Sequence, residues 1–483
     1  MTITGNRIMT TFTFDPGAAT PYYRQIYDGY RTAILTGLLR RGERLPSTRA
    51  LAAELGISRL PVVYAFEQLL HEGYIEGRAG SGTYVKDSIP DELANATASP
   101  PAPQKTRPPL LPPLHISIRA RLAPLRVSLP ALDRFPVRLW SKLVSKHARQ
   151  FTVEQMAYGD PAGYVPLREA VADYLRTARA VRCEAAQVLI VSGSQMALQI
   201  TALSLLGRGT TVCIEEPGYP GAHATLTGGG ARIVPVPVDG EGIDVDALAA
   251  KGRKVRAVYV TPSHQYPLGV SMTASRRLAL LDWARRTGAW IIEDDYDSEY
   301  RYASRPLGAL QGIEASRVIY IGTFSKVLFP SLRLGYVVVP HSLVDDFTRH
   351  RESIDLFSPV LEQAVLAEFL RDGHFGRHLR RMRALYEKRR DALVRGLREH
   401  APTLVPHNSD AGLHVSAFLP DGVDDRDIVR EAALRGVEAT ALSTCYVGDQ
   451  PRSGLVLGFG GASERRILAA CKTLGEVLRL HRG

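Results

Sequence analysis

Cysteine is scarce. Cys183, Cys213, Cys445 and Cys471 are the only four in 483 residues, widely separated and never in a Cys-x-x-Cys pair. That spacing excludes a disulfide framework, and with no clustered histidine it offers no zinc site, so a reduced, cytosolic protein without a bound metal is expected. Long apolar runs are missing too. Nowhere do about 18 apolar residues follow one another, and the opening MTITGNRIMTTFTFDPG has no basic head leading into an apolar stretch. Neither membrane spanning nor secretion is expected. Internal repeats and long runs of one charge are also absent, which excludes a solenoid and a charged tail. What is present is ordinary globular composition, 45% hydrophobic, 23% charged and 7% aromatic, in a chain long enough for two or more cores.

Proline is unevenly spread. Between Asp87 and Pro113, eight of 27 residues are proline, with almost no aromatic or β-branched neighbours. Such a stretch favours extended polyproline II, with a reach of roughly 80 Å at most. It predicts a linker over 87–113 between a small module, 20–86, and a large one, 114–483. Lys plus Arg (60) exceed Asp plus Glu (49) by 11. Of that excess the small module carries +3 and the large one +9, with −1 in the linker. A polyanionic partner becomes a candidate, but charge alone does not locate its face.

In the small module, Ile26, Tyr27, Tyr30, Ile34 and Leu38 recur at helical spacing over 23–38. A second helix is expected after Pro46 and Ser47, with Leu51 and Leu55 inward and Gly56 ending it. Ser58 stands at the N-cap of a third, whose apolar residues Val62, Val63, Phe66, Leu69 and Leu70 run to Gly73. Pro61 falls in the first turn, where the backbone NH has no helical partner to lose. Two β-prone pieces, 74–76 and 83–85, are joined across Gly80, Ser81 and Gly82. Three helices closed by a hairpin form a winged helix-turn-helix, with Arg49, Ser58, Arg59, Ser81 and Gly82 facing DNA. A helical protein-interaction module with solvated arginines fits the pattern as well. The words LPSTRALAAELGISRLPVVYAFEQLLHEGYIEGRAGSGTYV resemble the GntR family of bacterial regulators over the whole module, which implies operator DNA as a partner. Leu60 and Pro61 stand where that family usually has small polar residues.

The large module alternates short β-rich runs with helical stretches: QVLIV, TTVCIEEP, ARIVPVPV, VRAVYVTP, GAWIIEDD, RVIYIGTF and LRLGYVVVP. An α/β fold with a mostly parallel sheet is expected, its ligand site at the carboxyl ends of the strands. Ser194 and Gln195 follow a strand and open a helix, an arrangement suited to a phosphate. Asp294 and Asp295 end another strand, and Lys326 ends a third, with Arg333 seven residues on. Taken singly, these are equally a tight turn, a pair of caps and a surface charge. Together they are the parts that hold pyridoxal 5'-phosphate: an anion cradle, an acid for the pyridine nitrogen and an amine for a Schiff base.

The segments YGDPAGYVPLREAVADYL, SGSQMAL, EEPGYPGA, VYVTPSHQYPLG, WIIEDDYDSEYRY and GTFSKVLFPSLRLGY resemble fold type I aminotransferases. Joined to a GntR-type winged helix, the chain resembles the MocR family of transcriptional regulators over about 21–480. The resemblance implies that Lys326 binds pyridoxal phosphate as a Schiff base and that Asp294 pairs with the pyridinium nitrogen. It implies that Tyr296 contacts the phenolic oxygen, Tyr219 stacks on the ring, and Ser194, Gln195, Thr323, Ser325 and Arg333 hold the phosphate. Tyr158 would reach it from the partner subunit of a homodimer, in which one chain's DNA-binding module could lie over the other's large domain. Tyr300 and Tyr302 are expected to pack in the core. Two departures from working aminotransferases stand out: Tyr266 replaces the asparagine that bonds the phenolic oxygen, and Val456 replaces an arginine for the substrate carboxylate. Arg452 either substitutes for that arginine as an effector contact or is simply exposed. The expectation is a regulator sensing an amino compound or the cofactor, not an enzyme. The rival readings are an active aminotransferase that also binds DNA, and a cofactor-free dimerisation domain.

Overall fold

A computed structural model describes residues 12–88, 122–252, 254–302, 308–408, 410–448 and 451–481. The chain divides into two compact units, split between Pro108 and Pro109. Most of the expected linker, 89–113, and the first residues of the large module, 114–121, lie outside the described residues.

The small unit holds helices α1 (Tyr22–Leu35), α2 (Thr48–Leu55) and α3 (Arg59–His71) and the antiparallel strands β1 (Ile75–Arg78) and β2 (Gly82–Val85). Ile26, Tyr30, Leu51, Val62, Phe66 and Leu69 pack as one core. Capping explains the boundaries. The Ser47 side chain accepts from the Ala50 NH at 3.1 Å, and Gly56 ends α2 in the left-handed region at φ 66°. Ser58 is the N-cap of α3 as expected, although its hydroxyl makes no capping bond. Two apolar residues fall elsewhere than their spacing predicts. α1 stops at Leu35 and the chain turns at Gly37 (φ 75°), so Leu38 is 62% exposed and Leu39 takes the buried place. Leu70 lies on the outer side of α3. Gly82 belongs to strand β2 and not to the connection before it.

In the large unit, an eight-stranded sheet runs in the order β3-β10-β9-β8-β7-β4-β5-β6. Its strands are β3 (Val188–Val191), β4 (Thr211–Glu216), β5 (Arg232–Asp239), β6 (Gly242–Ile243), β7 (Val255–Val260), β8 (Trp290–Asp295), β9 (Val318–Thr323) and β10 (Gly335–Val338). The central pairs β4–β5, β4–β7, β7–β8 and β8–β9 are parallel. β10 is antiparallel to both β3 and β9, because the eleven residues between β9 and β10 are too few for a crossover helix. Helices pack against both faces, and the strands between them are buried end to end, as such layering requires. A second sheet, absent from the sequence reading, is antiparallel: β11 (Val405–His407), β12 (His414–Phe418), β14 (Gly454–Gly458) and β13 (Thr440–Ala441), in that order. Tyr300 and Tyr302 are structural as expected: Tyr300 packs edge-on to Tyr386 at 4.8 Å, and the Tyr302 hydroxyl donates to the Gly412 carbonyl. All four cysteines are free and buried, and every one is in this unit.

Candidate ligand pocket and nucleic-acid interface

Strands β3, β4, β7, β8 and β9 deliver side chains to one end of the large sheet. β3 runs into Gly193, whose φ of 94° opens the helix Ser194–Leu205. A side chain at Gly193 would press on the Arg333 guanidinium, which donates to the Ser192 carbonyl oxygen at 2.5 Å. Gln195 donates through Nε2 to the Tyr219 hydroxyl at 3.0 Å and accepts from Thr225. At the end of β9 the Ser325 NH donates to the Thr323 hydroxyl, while Ser325 Oγ is buried without a partner. Six of the expected phosphate and ring contacts, Ser194, Gln195, Tyr219, Thr323, Ser325 and Arg333, thus gather around the ends of β3, β4 and β9.

The two aspartates ending β8 differ in what holds Oδ2. Asp295 Oδ2 is held by structure: Arg179 donates to it at 2.8 Å and Tyr320 at 2.6 Å, all within the core, while its Oδ1, like that of Asp294, is buried without a partner. Asp294 accepts from Tyr259 at 2.7 Å through Oδ2, and its buried Oδ1 has no partner. Burial pushes the Asp294 carboxyl up to about 7, with the Tyr259 bond and nearby Lys326 pulling the other way. Lys326 makes one long hydrogen bond, to the Ser128 carbonyl oxygen at 3.4 Å. Burial lowers its ammonium to about 8; Asp297 and Asp294 oppose the change, Arg333 and Arg126 add to it.

Sequence reading missed several residues here, because they meet only through the order of the strands and none carries a local motif. Tyr259 anchors Asp294. His264 lies fully buried, Nδ1 3.0 Å from Asp297 Oδ1 and 3.0 Å from the Tyr296 hydroxyl, which also donates to the His264 carbonyl. His264, Asp297 and His414 present ligand-type atoms within 4.8 Å of one another, a histidine grouping invisible in the sequence. Protein partners engage part of it: His414 Nε2 donates to the Pro267 carbonyl, burial lowers the His414 imidazolium, and Asp297 bonds His264 Nδ1, while His264 Nε2 is buried without a partner. Glu215, pushed up to about 7 by burial, accepts from the Thr261 backbone and hydroxyl. Tyr266, in place of an asparagine, packs edge-on against Tyr219, Tyr296 and His414.

Three expected residues are not drawn into this group. Tyr158 is 86% exposed beside Phe357. Arg452 is exposed and lies over the Phe418 ring at 3.8 Å. Val456 is fully buried with Leu268, Val270 and Leu442.

On the small unit, Arg49, Ser58 and Arg59 are exposed around the start of α3, and Arg59 Nε donates to the Thr48 hydroxyl at 3.0 Å. In the wing, Ser81 Oγ meets the Tyr84 hydroxyl at 2.6 Å and Gly82 lies against Arg44.

These features define a fold type I aminotransferase unit joined to a DNA-binding winged helix. Residues 141–450 match the family described as aminotransferase class I and II, and residues 22–85 match the gntR family of bacterial regulatory proteins. The kynurenine aminotransferase structure of Pyrococcus horikoshii superposes with a TM-score of 0.70 at 28% identity, covering 75% of this chain and 91% of that one. Relatives that share both units are regulators. The probable rhizopine catabolism regulatory protein MocR of Rhizobium meliloti is 39% identical over 95% of this chain and 94% of its own. The HTH-type pyridoxine biosynthesis transcriptional regulator PdxR of Corynebacterium glutamicum is 32% identical over 93% and 94%. The chain belongs to the MocR family of transcriptional regulators. No described helix is long and apolar enough to cross a membrane.

Proposed function

We propose that this regulator is a cytoplasmic homodimer whose large domain holds pyridoxal 5'-phosphate and responds to a small amino compound, or to the cofactor itself, by altering its grip on operator DNA. The corresponding division is 20–86 for DNA binding, 87–113 for the linker and 114–483 for effector binding and dimerisation. One observation carries the reading: at the ends of adjacent strands stand two buried groups with capacity to spare, Asp294 with an unpartnered Oδ1 and Lys326 with one long hydrogen bond. The relative named for pyridoxine biosynthesis supports the cofactor as one effector class.

Pyridoxal phosphate, when bound, supplies an aldehyde that captures amines and a ring that draws electrons from them. The residues present suit it. With its ammonium lowered to about 8, Lys326 keeps a useful neutral fraction near pH 7 and can act as the nucleophile. Asp294, costly to ionise while its Oδ1 faces nothing, becomes a carboxylate once a cation lies against it, and so holds a proton on a ring nitrogen. Ser194, Gln195, Thr323, Ser325 and Arg333 offer a helix start, hydroxyls and a guanidinium to a phosphate, and Ser325 Oγ has a bond to give. Tyr219 would stack on the ring, Tyr296 would orient the phenolic oxygen with His264 and Asp297 steadying its hydroxyl, and Tyr158 would reach over from the partner subunit. Val456, apolar and buried where aminotransferases place an arginine, supports amine exchange without efficient turnover.

Borohydride reduction of the reconstituted protein, followed by peptide mapping, is expected to leave the pyridoxyl group on Lys326. Label on another lysine overturns the assignment. Gel shifts on the protein's own upstream region, with and without the cofactor and a panel of amines, test the regulatory half. Many turnovers of an amine and keto-acid pair would make it an enzyme after all.

A further inference from the structure

Near its start, the outer face of α3 carries two large apolar side chains that are more than half exposed. Leu60 is 57% exposed and Tyr64 is 53% exposed, while Val62, Ala65, Phe66 and Leu69 fill the opposite face. Residues four apart on a helix are neighbours, so Leu60 and Tyr64 form one continuous apolar edge one turn long. It begins at the second residue of the helix, next to the uncapped N-cap Ser58 and to Arg59, whose guanidinium is steadied by Thr48.

The surroundings decide what such an edge meets. In the segment leading into α3, between Arg40 and Arg59, the exposed charged residues are Arg40, Arg41, Arg44, Arg49 and Arg59 against Glu43 and Glu54, and the exposed acid on α3 itself, Glu67, lies a turn farther along, away from the helix start. The approach to the strip is therefore predominantly basic, with Arg59 directly beside Leu60 at the helix start. It fits a polyanion whose interior offers apolar groups, and the major groove of DNA has one: the C5-methyl of thymine. Phosphates would meet the arginines and the free NH groups of the first helical turn, and the methyls would meet Leu60 and Tyr64. Pro61 keeps the first turn in helical conformation without leaving an NH to satisfy, so the strip is presented rigidly.

We propose that Leu60 and Tyr64 are specificity-determining residues that read thymine methyl groups in the operator's major groove. Leu60 has no donor or acceptor to offer a base edge, and Tyr64 offers its ring face as well as one hydroxyl, so this pair selects chiefly by apolar contact with methyls.

The test uses full-length protein and duplexes selected from a random pool at fixed salt, with affinity measured by fluorescence anisotropy. Each thymine of the preferred sequence is replaced in turn by uracil, which removes the methyl and nothing else. At one or two positions per half-site, binding is expected to weaken roughly fourfold, the worth of one buried methyl group. Leu60→Ala and Tyr64→Ala should weaken binding to the thymine duplex and no longer distinguish uracil at those positions. Arg59→Ala should weaken both duplexes and keep the distinction. Uracil tolerated everywhere, or a full uracil penalty surviving in both alanine variants, overturns the proposal. A fall in oligomeric mass on Leu60→Ala also overturns it, by making the strip a contact between copies of the chain. Selection of no duplex at all refutes the DNA-binding reading, and this inference with it.

Discussion

Asp294 and Asp295 are adjacent in sequence and opposite in role. Asp295→Asn removes a charge that Arg179 and Tyr320 share inside the core, and breaking a buried pair costs about 3–5 kcal/mol, so its unfolding midpoint in denaturant should fall sharply. Asp294→Asn removes a carboxyl whose Oδ1 is unpartnered, so the apoprotein should lose little stability while affinity for pyridoxal phosphate, read by absorbance titration, drops tenfold or more. Their pH behaviour separates them further. A carboxyl raised to about 7 binds a proton in the folded state that the unfolded chain has already released. The stabilisation is complete below about pH 4 and declines as pH climbs toward 7. The wild-type apoprotein should therefore lose thermal stability over that interval more steeply than Asp294→Asn. Lys326 is displaced downward, so its neutral, nucleophilic fraction grows until about pH 8. Stopped-flow absorbance should show cofactor capture accelerating up to about that pH and then levelling off; a rate still rising tenfold per unit at pH 10 would place the nucleophile elsewhere.

Seven strands of the large sheet announced themselves as short, nearly continuous apolar runs, and placing Lys326, Asp294 and Ser194 at strand ends followed directly from that; β6 and the second sheet did not. Direction was harder to read. LRLGYVVVP has the same composition as its parallel neighbours, and only the short connection before Gly335 shows that it must turn back. Helix ends were read less well than helix faces: Leu38 keeps the apolar period of α1, yet the turn at Gly37 takes it outside and puts Leu39 within. The partners of the site, Tyr259, His264, Asp297 and Arg179, were illegible because their meeting is a product of sheet order. One element shows how tightly that meeting is set. The segment Leu125–Ser128, with φ of 65° and 67° at its two ends, pairs with Gly458 of β14 and offers Lys326 the Ser128 carbonyl. A Cβ at Gly458 would collide with the Arg126 carbonyl oxygen. Gly458→Ala should therefore cost about 1–3 kcal/mol of stability and shift the capture pH of Lys326, both measurable on purified protein.

For the molecule as a whole, a homodimer is expected by light scattering at micromolar concentration, since the proposed site would take Tyr158 from the partner subunit. Val153, Met156 and Tyr158, all strongly exposed and close in sequence, are apolar surface that such a partner would cover. Coupling between the units should depend on Lys326. Lys326→Ala is expected to dimerise and bind operator DNA with little change, yet to lose most of its response to amine, because a ligand shifts an equilibrium only by its difference in affinity for the two states. An undiminished response in gel shifts would make simple occupancy the signal. The burial of every cysteine has a practical side. All four thiols lie in the large unit, and so do the three tryptophans, Trp140, Trp283 and Trp290. Thiol labelling and indole emission are therefore blind to the winged helix, and the intact chain carries its own pair of reporters for effector-domain unfolding. Tracked beside a dye-labelled operator, they can time which half of the regulator moves first.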